Sequence, residues 1–283
     1  MVLCFKNRQL DLSGVSRLMG IVNVTPDSFS DGGRCFNSET AVAHGLKLLE
    51  EGADVIDVGG ESTRPGAAAV SPEEEIARIV PVIRELKRKY PDCIISADTR
   101  KAEVATAAAE AGADIINDVT GLQYSPAIAA VAAKYDTGLI LMHMRGTPET
   151  MQSAENLKYD DVVKEVSEFL LQAVEKALEY GVKRENIVLD PGIGFSKTPE
   201  QNLELIGGIG EIKALGFPVL VGHSRKSFIG TALGRKTPED RLWGTAGVTA
   251  FLTMRRAEII RVHDVRAMKD VVTMFSRCAG YIK

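Results

Sequence analysis

Asp98, Asn117 and Asp190 each follow an apolar stretch directly, in CIISADT, IINDV and IVLDPG. An unpaired carboxylate or amide is costly to bury at such a place, so each must find a partner. One reading is that the three satisfy one another. The other is that two acceptors and an amide face one cavity and hold a planar heterocycle that offers several N–H donors. A buried Asp accepts a bidentate pair from an amino-pyrimidine edge as a carboxylate does from guanidinium. A second set points to an anion. Arg64 lies in GGESTRPGA, Arg261 sits within the apolar run IIRVHD, and His263 follows it at i+2 on the same strand face. Ser224-Arg225-Lys226-Ser227 opens the segment after PVLVGH. A lone surface Arg or Lys reads first as a solvated side chain, whereas an Arg inside a strand does not.

These residues need a scaffold that gathers strand ends. Eight short apolar runs recur: RLMGIVNV (17–24), VIDVGG (55–60), CIISADT (93–99), IINDV (115–119), GLILMHM (138–144), IVLDPG (187–192), PVLVGHS (218–224) and IIRVHD (259–264). Continuous β-branched runs of this length suit strands buried on both faces of a parallel sheet. Helix signals lie between them. Ser71-Pro72 with Glu74, Ser125-Pro126, and Thr198-Pro199 with Gln201 are helix starts. Val163, Val166, Leu170, Val174 and Leu178 form one apolar stripe, Pro81 kinks or divides its helix, and Gly52 and Gly112 read as left-handed caps. EGADVIDV, EAGADIINDV and RRAEIIRVHDV repeat a helix end leading into a strand.

Eight βα units predict a (β/α)8 TIM barrel, one domain over residues 1–283. The rival doubly wound sheet lacks the GxGxxG that usually follows its first strand. CFKNRQLDL reads as a short N-terminal hairpin, turning at Lys6-Asn7-Arg8 and capping the barrel floor. Barrel active sites lie at the C-terminal ends of the strands. Those ends carry Asn23, Gly59-Gly60, Asp98, Asn117, His143, Asp190, Gly222-His223 and His263. The loops after strands seven and eight are the usual phosphate site, which places Lys226, Arg261 and His263 there.

The bulk numbers set limits. The chain has 283 residues, 45% of them hydrophobic, with net charge −4, so a large core is expected and a global basic field for nucleic acid is excluded. Cys4, Cys35, Cys93 and Cys278 form no CxxC or Cys/His cluster and read as reduced cytosolic thiols. No apolar run approaches 18 residues and the N-terminus has no signal-like segment, so a soluble, cytoplasmic protein without a membrane partner is expected. Four weaker candidates have plain structural readings: Glu61 as a scaffold carboxylate, His143 and His223 as satisfied core histidines, and Trp243 as helix packing. Met142 and Met144 flank His143 and alternate faces. GIVNVTPDSFSDGG (20–33) leads from a core strand into a polar loop with Phe29 exposed. Its length exceeds an ordinary turn, which favours a functional loop.

That stretch resembles the signature of the dihydropteroate synthase family. GGESTRPGA, ADTRKAEVA, INDV, DPGIGFSKT, GHSRKSFIG and IIRVHDV resemble the family's other segments, in its order, across residues 18–265. The resemblance implies a (β/α)8 barrel, usually a homodimer. It implies a transferase that joins 4-aminobenzoate to 6-hydroxymethyl-7,8-dihydropterin diphosphate in folate biosynthesis, with Mg2+ as cofactor and sulfonamides as competitors. Carried over residue by residue, Asp98, Asn117, Asp190 and Lys226 hold the pterin. Asn23, Thr63, Arg64, Arg261 and His263 hold the diphosphate, with Mg2+ near Asn23. Phe29, Thr63, Pro65, Phe195, Lys226 and Ser227 surround the 4-aminobenzoate, and Asp98, Lys226 and Arg261 are the catalytic set. Thr25 to Gly33 then reads as a lid hinged at Gly32 and Gly33. Two rivals remain at this point: a corrinoid-linked methyltransferase barrel that binds a folate, and a non-catalytic pterin-binding barrel.

Overall fold

The computed structural model describes residues 1–25, 38–63, 66–67 and 69–282. The first two strands, β1 (Val2–Phe5) and β2 (Arg8–Asp11), pair antiparallel across Lys6-Asn7. The expected hairpin is therefore present. Its buried Leu3, Phe5, Leu10 and Leu12 cluster with Met19, Val55, Ile115, Ile140, Val188, Leu220 and Ile259. Those seven lie at or near the starts of the barrel strands, so the hairpin plugs the floor. Each such buried side chain is worth about 1.5–3 kcal/mol.

Eight parallel strands follow: β3 (Arg17–Asn23), β4 (Val55–Gly59), β5 (Ile94–Asp98), β6 (Ile115–Asp118), β7 (Gly138–Met142), β8 (Ile187–Asp190), β9 (Leu220–Gly222) and β10 (Ile259–Val262). The sheet order is β8-β7-β6-β5-β4-β3-β10-β9. The Leu189 N–H donates to the Pro218 carbonyl at 2.9 Å, and Leu189 bridges Val219, which joins β8 to β9 and closes the barrel. All eight expected strands are thus found. They are buried on both faces because helices cover the outside and the plug and rim residues fill the inside.

The helices are α1 (Ser38–Glu50), α2 (Pro72–Lys89), α3 (Ala102–Ala111), α4 (Ala127–Tyr135), α5 (Val162–Glu179), α6 (Pro199–Gly207), α7 (Ile209–Ala214), α8 (Ser227–Leu233), α9 (Leu242–Met254) and α10 (Val265–Cys278). Ser71 caps α2 through the Glu74 N–H. Thr198 and Gln201 make a reciprocal capping box at α6. Pro81 does not divide α2, which runs through it. Gly52 and Gly112 take the left-handed conformation expected, with φ of 98° and 115°. Trp243 departs from expectation: it is 82% exposed on α9 and packs into no core. Among the described residues, no helix is long and apolar enough to cross a membrane.

Candidate active site

Parallel register brings the polar strand ends to one rim. Asn23 lies beside Gly59, Gly59 beside Asp98, and Asp98 beside Asn117. Asp190 ends β8 beside Met142. Arg261 on β10 reaches across this rim. Its Nε donates to Asp57 Oδ2 at 2.6 Å and its Nη2 to Asp98 Oδ2 at 2.9 Å. Asn117 Nδ2 donates to the same Asp57 oxygen at 3.2 Å. Asp98, Asn117 and Asp190 are thus not paired with one another. Asp57 and Arg261 join the first two, and Asp190 Oδ1 accepts from the Gly192 N–H at 2.8 Å.

Asp57, a fully buried residue within β4, was not among the sequence candidates. The available signal was a carboxylate inside the apolar run VIDVGG. Buried acid in a strand interior requires a partner, and Arg261 supplies it. Asp57 Oδ1, Asn117 Oδ1 and the Ser96 hydroxyl have no hydrogen-bond partner among the described residues. Three polar atoms are therefore left for a ligand or water at the bottom of the rim.

The electrostatics follow from burial. Burial pushes the Asp98 carboxyl up to about 8; Asp57 adds to this and Arg261 opposes it. Burial also raises Asp190, against the pull of Lys226. Lys226 is pulled down to about 7 by burial, with Asp190 opposing. Asp98 and Lys226 therefore sit near neutrality and can exchange protons with a bound heterocycle at little cost.

Lys226 precedes α8, and its ammonium donates to the Ile193 carbonyl and lies 4.4 Å from the centre of the Phe195 ring. Phe195 is half-buried against Val119, Met142, Met144 and Met151, so the two methionines that flank His143 do not alternate faces as expected: residues i and i+2 of an extended chain share one face, and both join one apolar cluster. Ser227 is exposed beside Lys226. His263 is fixed by Ser224, whose hydroxyl lies 3.2 Å from its backbone N and 3.0 Å from Nδ1. Asn23 and Thr63 are half-buried at the same end of the barrel. Phe29, Arg64 and Pro65 lie outside the described residues, as do the lid expected to run to Gly33 and its Gly32-Gly33 hinge.

His143 and His223 behave as core residues. His223 Nε2 faces the Thr245 carbonyl at 3.1 Å and the Thr249 hydroxyl at 3.0 Å, and burial pulls its imidazole down to about 4. His143 is buried and held by Lys197. Glu61 accepts from Arg100 at 3.0 Å, from Lys101 at 3.1 Å and from the Val70 N–H at 2.9 Å, in keeping with a scaffold role.

A closed parallel barrel with a largely buried Asp–Arg–Asp–Asn cluster at its rim defines a site for a planar, donor-rich heterocycle. Residues 19–263 match the family of pterin binding enzymes. The dihydropteroate synthase of Synechocystis sp. is 48% identical over 90% of this chain and 87% of its own length. Two solved structures of the Xanthomonas albilineans dihydropteroate synthase superpose closely. The one with 4-aminobenzoic acid has a TM-score of 0.91 at 43% identity, covering 100% of this chain and 99% of that one. The one in complex with 7,8-dihydropteroate has a TM-score of 0.89 at 41% identity, covering 100% of both. The chain belongs to the pterin binding enzymes and, within them, to the dihydropteroate synthases.

Proposed function

We infer that this barrel condenses 6-hydroxymethyl-7,8-dihydropterin diphosphate with 4-aminobenzoate, giving 7,8-dihydropteroate and diphosphate in folate biosynthesis. The observation that carries the reading is the rim cluster: two carboxylates on one arginine, with Asn117 and Asp57 each keeping an unpartnered buried acceptor. A pterin has the N–H donors to fill such acceptors. Neither rival reading is favoured: nothing in a corrinoid-linked methyl transfer calls for Arg261 and His263 at a phosphate end or for Lys226 between the two substrates, and a non-catalytic barrel leaves all three without use.

In this reading Asp98, Asn117, Asp190 and Lys226 hold the pterin. Asn23, Thr63, Arg64, Arg261 and His263 hold the diphosphate. Phe29, Thr63, Pro65, Phe195, Lys226 and Ser227 surround the 4-aminobenzoate, the site at which sulfonamides compete. The C–O bond between the exocyclic methylene and the diphosphate breaks, and the electron pair leaves with the diphosphate. Arg261 and His263 stabilise that departing charge. The positive charge left on the pterin favours release of the Asp98 proton to solvent, and the carboxylate so formed stabilises that cation. The amine of 4-aminobenzoate, held in line by the walls around Phe195 and Ser227, forms the new C–N bond and passes one proton to the departed diphosphate. No protein nucleophile is needed. Exchange of labelled diphosphate into the pterin substrate without 4-aminobenzoate supports this order of events; exchange that strictly requires 4-aminobenzoate contradicts it.

Among the described residues no three His, Cys, Asp or Glu side chains gather to cage a metal. Asn23 offers one amide oxygen at the end of β3. This donor set fits Mg2+ that arrives on the diphosphate and keeps most of its water. Held by Asn23 and the phosphates, the ion would neutralise leaving-group charge. The chain forms one barrel domain and works as a cytoplasmic homodimer in this reading. Trp243, Gly247, Ala250 and Met254 form an apolar stripe along the outer face of α9, and α10, packed against α9, exposes Met274, which supports pairing of two copies. Thermal melts test the reading: pterin diphosphate and Mg2+ together should raise the midpoint through ligand linkage. A response to a folate but not to this pair would favour the methyltransferase instead.

A further inference from the structure

Lys197 is 3% exposed, carries a charge that burial disfavours, and has no part in the chemistry above. Its Nζ lies 2.9 Å from the Phe195 carbonyl, 3.1 Å from the Gly192 carbonyl and 3.0 Å from His143 Nδ1. These three partners account for the three donors of an ammonium. Desolvation pulls both Lys197 and His143 well down. A neutral imidazole keeps a lone pair at Nδ1 for the ammonium. If Lys197 is itself neutral, two N–H groups still face the two carbonyls, and His143 Nδ1–H donates to the amine.

The backbone shows why such a staple is needed. Between Asp190 and the start of α6, Gly192, Gly194 and Ser196 have φ of 69°, 84° and 51°. Ser196 is not glycine, and its left-handed conformation costs about 1–2 kcal/mol. This winding turns the carbonyls of Gly192, Ile193 and Phe195 onto two lysines, buried Lys197 and half-buried Lys226. The Ser196 hydroxyl adds two bonds, accepting from the Arg145 N–H at 2.7 Å and donating to the Arg145 carbonyl at 2.8 Å. The space is closed on both sides. A methyl group at Gly192 would come 1.9 Å from the His143 carbonyl oxygen, and one at Gly194 would come 2.7 Å from Lys226 Cδ.

We propose that Lys197 is a positioning residue: by stapling the Gly192 and Phe195 carbonyls it fixes the loop that presents the Phe195 ring to the second substrate and the Ile193 carbonyl to Lys226. The proposal rests on the synthase reading. It weights the effect toward the second substrate: Asp98 and Asn117 stand on β5 and β6, away from this loop, whereas only Asp190 and Lys226 of the pterin set touch it, through the Gly192 N–H and the Ile193 carbonyl.

The test compares wild type with Lys197→Met, which keeps length and apolar bulk but loses every donor. Wild-type turnover of both substrates comes first; its absence would fail the synthase reading and not the staple. Given turnover, Lys197→Met should raise KM for 4-aminobenzoate on the order of tenfold, the effect of losing one hydrogen bond to a charged group. KM for the pterin diphosphate should change several-fold less, because Asp98 and Asn117 are untouched and only Asp190 and Lys226 meet the loop. His143→Gln, which leaves both carbonyl bonds in place, should show a smaller change in the same direction. Equal changes in both KM values, or none, would overturn the proposal. Should Lys197→Met not fold, hydrogen exchange on the wild type decides. The Phe195 amide, bonded to the Gly192 carbonyl at 3.1 Å, should be as protected without ligand as the interior amides of α6. Exchange at the rate of an open loop would overturn the staple.

Discussion

Replacing Asp98 by Asn should separate stability from function. In the folded protein the Asp98 carboxyl titrates at about 8, raised by burial and Asp57. In the unfolded chain it titrates near 3.9. Between those values the folded state holds a proton that the unfolded state has released. Stability therefore falls as pH rises from about 4 to about 8, by up to roughly 1.4 kcal/mol per pH unit and on the order of 5 kcal/mol as an upper bound. The amide introduced by Asp98→Asn cannot ionise and removes this slope, while Arg261 keeps its 2.6 Å bond to Asp57. Denaturant melts of both proteins from pH 5 to pH 9 would measure the gap. The curves should lie within about 1 kcal/mol at pH 5, the net worth of one hydrogen bond. The variant should become the more stable protein by pH 8.5, although it has lost a pterin acceptor. Parallel curves, or a gap that shrinks with pH, would refute the charge assignment at the rim.

Gly192→Ala places a side chain at φ 69° and against the His143 carbonyl oxygen. It should destabilise by about 3 kcal/mol or more in urea melts, from left-handed strain plus overpacking; a loss below about 1 kcal/mol would mean the loop gives way freely. Trp243→Asp, at an 82% exposed position, should convert a dimer to a monomer in sedimentation, with far-UV circular dichroism unchanged. A wild type that sediments as a monomer would remove the dimer from the account.

The eight strands were legible because each is a continuous apolar run ended by glycine or a polar residue, and parallel βα units leave few other arrangements. The floor hairpin was legible from its turn. Asn23, Asp98, Asn117, Asp190 and His263 were visible as polar residues at strand ends and Arg261 as a charge inside a strand, whereas Thr63, Pro65, Phe195 and Ser227 came from the family resemblance. Asp57 was not visible, because its meaning depends on Arg261, 204 residues away. Sequence alone offered only a carboxylate among valines. Lys197 was hidden for a related reason. Its partners are main-chain carbonyls, turned inward by left-handed Gly192 and Ser196, and a histidine on another strand end. Trp243 misled because an aromatic on an apolar helix suits packing against the barrel, yet α9 turns Thr245, Thr249 and Leu252 inward and leaves Trp243 outside.

The most direct measurement is release of diphosphate from the dihydropterin diphosphate, with and without 4-aminobenzoate, alongside detection of 7,8-dihydropteroate, for wild type and Lys226→Ala. The account predicts that wild type couples release to dihydropteroate formation and that Lys226→Ala, having lost the ammonium between Ile193 and Phe195, nearly abolishes both. A folded wild type that releases no diphosphate, or a variant that keeps full turnover, would contradict it.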